Sequence, residues 1–156
     1  MAVRKYASDG GNILVSGAYI GTDLADSIYP IQKDSTGCAL AKEFAEDVLG
    51  YRFITNQAGR KGKVIPANNR FRINTSPVDI ATDTASETYC IESPDGIAPA
   101  SSGQTIYRYA DSGISAGVAS ENNGYRCIAL GFPIEALCGQ EMIDSLIETT
   151  LEFFKK

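Results

Sequence analysis

Two short segments hold the residues whose types and spacing could do chemistry. The first is Gly17-Ala18-Tyr19-Ile20-Gly21-Thr22-Asp23, directly after the apolar run Ile13-Leu14-Val15-Ser16. A strand, a turn with glycine on both sides and a helix start form the frame on which several hydrolytic α/β folds expose a nucleophile. Here the exposed position holds Tyr19. A phenol with its ordinary pKa of ~10 attacks poorly at neutral pH unless a neighbour removes its proton, although tyrosine nucleophiles do exist in sialidases. A bulky side chain at positive φ is strained, so the turn can relax and leave Tyr19 to stack on a sugar ring or to fill the pocket in a structural role. Thr22 or Asp23 can cap the helix that follows. The second segment is Leu130-Gly131-Phe132-Pro133-Ile134-Glu135, after the apolar run that ends at Leu130. Ligands gather at the carboxyl ends of strands in open α/β sheets, which places Tyr19 and Glu135 at one such end. Glu135 there orients a partner or acts as a base; equally, it caps the final helix or faces solvent. The candidate ligand-contacting residues are therefore Tyr19, Thr22, Asp23 and Glu135.

What is missing narrows the chemistry further. The 156 residues include no histidine. Ser–His and Cys–His pairs, imidazole bases and histidine metal ligands are excluded. Cys38, Cys90, Cys127 and Cys138 show no Cys-x-x-Cys spacing, so neither a zinc ribbon nor a thioredoxin-type site is indicated. Free buried thiols are the favoured reading; one or two disulfides stay open for an exported parent protein. The turn at Gly17–Gly21 permits a phosphate cradle, since amides at a helix start attract anions. It lacks the Gly-Lys-Ser/Thr ending of a P-loop and the Gly-x-Gly-x-x-Gly pattern. The net charge of −5 and the scattered Lys and Arg argue against a nucleic-acid partner. No apolar run reaches the ~20 residues of a membrane span, and Met1–Tyr6 has no signal-peptide core. No metal site, cofactor or intact catalytic group is indicated.

The elements that must position these residues follow from periodicity. Hydrophobic residues make up 44% and charged residues 21%, an ordinary balance for a single globular domain over 1–156. Ala2–Ser8 reads as a helix stopped by Asp9-Gly10-Gly11. Ile13–Ser16 reads as a strand covered on both faces. A short helix after Thr22 ends at Pro30. Ser35 or Thr36 caps another, with Leu40, Ala41, Phe44, Ala45 and Val48 on one face and Gly50 as its stop. Tyr51–Thr55, Gly62–Ala67, Phe71–Asn74 and Thr88–Glu92 read as strands. Asn68–Ser102, rich in Asn, Ser, Thr, Pro and Asp, reads as irregular loops holding one or two strands such as Thr88–Glu92. Thr105–Ala110, Ile114–Ser120 and Tyr125–Gly131 form a meander with turns at Asp111-Ser112-Gly113 and Asn122-Asn123-Gly124. Cys138–Phe154 is an amphipathic helix with Ile143, Leu146, Ile147, Leu151 and Phe154 in its stripe.

With these segments placed, the chain resembles a known family. Gly17-Ala18-Tyr19-Ile20-Gly21 is similar to the nucleophile elbow of class I glutamine amidotransferase-like domains, where cysteine stands between the glycines. Phe132-Pro133-Ile134-Glu135 is similar to their Phe-His-Pro-Glu segment. Tyr19 then falls on the Cys position, Pro133 on the His position and Glu135 on the Glu position, so two of three triad members are replaced. A longer resemblance, through Ile106-Tyr107-Arg108-Tyr109, Ser115–Ala119 and Ala129–Glu135, is to exported Bacteroidetes proteins labelled xanthan lyase-like or amidase-like.

The resemblance implies an α/β, flavodoxin-like sheet flanked by helices, with the antiparallel meander before the C-terminal helix. Such domains carry strand–helix units before the elbow, and about fifteen residues precede it here, so the chain is expected to be the later part of one. A missing neighbour strand would leave an apolar edge that invites self-association, and a homo-oligomer is expected. The resemblance also implies an exported parent, at the periplasm or cell surface, and a carbohydrate or cell-wall ligand. Three functions follow. One is a non-catalytic accessory or binding module of a polysaccharide- or cell-wall-processing protein. Another is a hydrolase or lyase with a site rebuilt from Tyr19, Asp23 and Glu135. The last is a purely structural domain.

Overall fold

The computed structural model describes residues 2–25, 35–73, 75–82 and 89–155. Four helices and eight strands appear in the order α1 (Ala2–Ser8), β1 (Ile13–Ser16), α2 (Ile20–Ala25), α3 (Ser35–Asp47), β2 (Tyr51–Thr55), β3 (Lys63–Pro66), β4 (Val78–Asp79), β5 (Gly96–Pro99), β6 (Gly103–Tyr109), β7 (Ser115–Asn122), β8 (Tyr125–Leu130) and α4 (Gln140–Lys155). A 3-10 turn at Ile134–Ala136 precedes α4. None of the helices is long and apolar enough to cross a membrane among the described residues.

The main sheet is mixed, with strand order β1-β8-β7-β6-β3-β4. Only β1 and β8 run parallel, in the register Ile13↔Cys127 to Ser16↔Leu130. Every other pair in the sheet is antiparallel. β2 and β5 form a separate antiparallel pair. The architecture is thus a mixed α/β sheet flanked by helices, with its parallel character confined to the β1/β8 end.

Alternation along the strands explains why both faces of this end are covered. Ile13 and Val15 of β1, with Cys127 and Ala129 of β8, pack with Ala7 of α1, Phe44, Ala45 and Val48 of α3, and Tyr51 and Ile97 of the β2/β5 pair. Leu14, Ile128 and Leu130 belong to the opposite cluster, which Leu146 and Phe153 of α4 close. Asn12 ties the same end together: its Nδ2 donates to the Phe154 carbonyl at 3.2 Å, and its Oδ1 accepts from the Arg126 amide at 2.7 Å. β1 lies at the sheet edge, and its outer side meets no strand among the described residues. Its four residues are accordingly only half-buried.

The meander, the first helix, the elbow strand and the final helix lie within a few residues of their sequence-based bounds. Three expectations need correction. Phe71–Asn74 is not a strand over its described residues. Asn69 folds that segment into a loop, its Oδ1 accepting from the Ile73 amide while its Nδ2 donates to the Ile73 and Ala67 carbonyls. Tyr89–Glu92 is likewise irregular, although the Ile91 amide donates to the Ala81 carbonyl at 2.8 Å. The one or two strands expected within Asn68–Ser102 are β4 and β5 rather than Thr88–Glu92, and β5 pairs with β2 rather than joining the main sheet. The helix stop at Pro30 and the Ser35 or Thr36 cap involve groups outside the described residues.

Candidate functional site

The two segments singled out in the sequence meet at the carboxyl end of the β1/β8 pair. β1 ends at Ser16, and the Gly17 amide donates to the Leu130 carbonyl at 3.2 Å, carrying the parallel pairing one step beyond the strand. The chain then turns through Ala18 and Tyr19 into α2. On the neighbouring strand, Gly131–Pro133 leads into the 3-10 turn that holds Glu135. The result is a cleft of about 400 Å³ lined by Ser16, Gly17, Ala18, Tyr19, Tyr89, Pro133 and Glu135. Tyr19 is 47% exposed and Tyr89 is 59% exposed, so both rings are presented to solvent. Glu135 is exposed and Pro133 is buried.

The turn is not the strained elbow of a hydrolytic nucleophile. Among the described residues, only Arg72 (φ 53°) and Ser101 (φ 40°) are non-glycines with positive φ, so Tyr19 sits in ordinary backbone space. Gly17 and Gly21 also avoid positive φ. Gly21 is required for a different reason. A Cβ there would lie 2.7 Å from the Phe53 ring and 3.2 Å from the Asp95 carboxylate. Close packing, and not backbone bending, explains this glycine.

Asp95 is the residue that fixes the turn. It is fully buried. Its Oδ2 accepts from the Gly21 amide at 2.7 Å and the Thr22 amide at 2.9 Å, and its Oδ1 accepts from the Thr22 hydroxyl at 2.7 Å. Its own amide donates to the Ala18 and Gly131 carbonyls, each at 3.0 Å. The Tyr109 hydroxyl donates towards the Asp95 carbonyl at 2.9 Å and the Gly131 carbonyl at 3.0 Å. One residue thereby clamps the elbow, the end of β8 and the end of β6 together. Burial raises the Asp95 pKa above its ordinary range; hydrogen bonds from Thr22 and Gly21 pull it back, and the nearby Asp23 charge adds to the rise. Burial likewise drives the Tyr109 hydroxyl well above the usual phenol range, with the Asp95 charge adding to it.

This clamp overturns the phosphate-cradle reading. The Gly21 and Thr22 amides that would receive an anion already donate to a carboxylate of this chain. It also accounts for Thr22, whose hydroxyl and amide both serve Asp95 and which does not line the cleft. Asp23 is exposed, its amide donates to the Tyr19 carbonyl at 2.9 Å, and it too is not part of the cleft lining. Of the four candidate residues, Tyr19 and Glu135 come together, while Thr22 and Asp23 stand apart from them.

Two participants were missed from sequence. Asp95 sits in Pro94-Asp95-Gly96, which reads as an ordinary turn, and nothing local marks its carboxylate for burial. Tyr89 was absorbed into a presumed strand. Among the described residues no Lys or Arg lines the cleft, and no group of three or more His, Cys, Asp or Glu could hold a metal ion. Cys90 and Cys127 are free thiols. Cys127 lies in the core beneath α3, where burial pushes its thiol up to about 12 and leaves it protonated and unreactive. The arrangement offers two aromatic faces, one carboxylate and a preformed concave wall. No protein-family model matches the chain, and no curated protein matches it.

Proposed function

We propose that this chain is a non-catalytic glycan-binding module, and that the cleft at the end of β1 and β8 is where the glycan sits. The observation that carries this reading is the pairing of two exposed tyrosine rings, Tyr19 and Tyr89, across a wall that includes Glu135. Sugar rings present apolar C–H faces that stack on aromatic side chains, and their hydroxyls need a few fixed polar partners. The exposed Glu135 carboxylate supplies such a partner. The finer fold assignment, a glutamine amidotransferase-like and flavodoxin-like sheet, is part of the same proposal. It is supported by the β1–turn–α2 frame. It is supported also by the meeting of Tyr19, Pro133 and Glu135, the positions matched to the family's triad, in one cleft. An exported parent that processes polysaccharide or cell wall is the setting this resemblance suggests.

The alternative with a rebuilt hydrolase or lyase site draws less support. Asp23 does not reach the cleft, and the pair left behind, a phenol and a solvent-facing carboxylate, lacks a third group to orient it. The test is titration with a neutral β-1,4-linked N-acetylglucosamine trimer, followed by NMR chemical shifts. Removing a stacked ring that covers about 60 Å² of sugar forfeits ~1.5 kcal/mol, or about tenfold in affinity. Tyr19→Ala and Tyr89→Ala are each expected to weaken binding about tenfold while leaving the fold intact. Unchanged affinity in both variants refutes the assignment of the cleft, and release of cleaved product refutes the non-catalytic reading.

A further inference from the structure

The geometry points to a ligand that carries a protonated amine, seated with its ammonium against the Glu135 carboxylate and its ring against Tyr19 and Tyr89. This deepens the glycan-binding reading and rests on it. Three observations carry it. First, Glu135 is the only charged side chain in the cleft lining, and no Lys or Arg accompanies it among the described residues. A uronic acid or phosphate entering the cleft would place its charge against that carboxylate, and no Lys or Arg among the described lining residues offsets the repulsion. Second, the amides at the start of α2 that would otherwise draw an anion are taken up by Asp95. The site has therefore lost the anion-attracting feature that its turn-and-helix frame normally provides. Third, tyrosine faces carry negative quadrupole density, which favours a cation within about 6 Å of the ring. A carboxylate flanked by two exposed aromatic rings suits an ammonium and disfavours an anion. The net charge of −5 adds a long-range field of the same sign. The ligand class is thus an amino sugar whose nitrogen is free, such as a de-N-acetylated glucosamine unit.

The experiment compares three soluble trimers at pH 6 by calorimetric titration: β-1,4-glucosamine, β-1,4-N-acetylglucosamine and α-1,4-galacturonate. The intact chain is expected to bind the free-amine trimer about tenfold more tightly than the N-acetylated one and to bind galacturonate weakest of the three. In Glu135→Gln, an exposed and nearly isosteric change that leaves both tyrosine faces in place, the tenfold preference for the free-amine trimer is expected to fall to about twofold. Equal binding of those trimers by the unaltered chain overturns the amine assignment while glycan binding stands. An amine preference that survives Glu135→Gln at its full tenfold does not depend on Glu135, and it overturns the assignment in the same way. Galacturonate as the tightest ligand also overturns it. Failure of all three trimers to bind overturns the glycan reading and this inference together.

Discussion

The buried clamp at Asp95 gives the sharpest test of how the turn is held. Replacing Asp95 with Ala removes the acceptor for the Gly21 amide, the Thr22 amide and the Thr22 hydroxyl at once. Each amide stranded away from water costs about 1–3 kcal/mol, and the hydroxyl, free to rotate, costs less. The sum is about 2–6 kcal/mol, a large share of the 5–15 kcal/mol that holds a typical domain together. With a urea slope of about 2 kcal/mol/M, the unfolding midpoint should fall by about 2 M.

Asp95→Asn should behave differently. The amide oxygen can face the two N–H donors, while Nδ2 donates to the Thr22 hydroxyl, so both backbone amides keep an acceptor, only the rotatable hydroxyl must find another, and the cost is about 1 kcal/mol. The pH dependence follows from the raised pKa. A carboxyl whose folded pKa lies above its ordinary 3.8 contributes stability that is full below 3.8 and is lost as pH rises through the folded value. Asp95→Asn has no such titration. The stability of the unaltered chain relative to this variant should therefore decrease with rising pH above 3.8 and level off once Asp95 is ionised. Urea unfolding followed by circular dichroism at several pH values measures both effects. The donor-satisfaction argument is refuted if Asp95→Asn is as damaging as Asp95→Ala. The burial argument is refuted if the advantage of the unaltered chain grows as pH rises.

Two further outcomes are expected. Gly131→Ala would drive a Cβ into the Asp95 carbonyl oxygen, a backbone atom that cannot step aside. Overpacking of this kind costs about 1–3 kcal/mol or more, and an unchanged melting temperature would show that the clamp is looser than described. Tyr51, Tyr107 and Tyr109 are buried with raised hydroxyl pKa values, Tyr107 to about 12, chiefly through burial. Their contribution is present below the ordinary phenol value of 10 and is lost as pH rises above it. Alkaline unfolding should therefore begin above pH 10, with absorbance at 295 nm showing these phenols ionising together with loss of the circular dichroism signal; ionisation with the fold intact would contradict their burial.

Much of the scaffold was legible because its signals are local. The alternation in Thr105–Leu130 and the glycines at 113 and 124, both at positive φ, write the meander directly. Ile13, Leu14 and Val15 of β1 announce a strand with an apolar side chain on each face, and the stripe of α4 announces a helix laid against a sheet. Tyr19 and Glu135 were legible as partners because each follows an apolar run, and parallel strands bring their carboxyl ends together. What stayed hidden depends on contacts distant in sequence. Asp95 lies 74 residues from Gly21, and its carboxylate satisfies backbone donors that show no side-chain signature. Tyr89 enters the cleft from an irregular segment without periodicity. The separate β2/β5 pairing likewise joins strands whose own sequences do not name their partner. The sequence by itself determined β1, the meander strands, α1 and α4, and which chemistry histidine's absence forbids, since those follow from side-chain period and type. Only the tertiary structure decided that the glycine-flanked turn is held by a buried carboxylate and closed to anions. That depends on which distant group fills the space beside it.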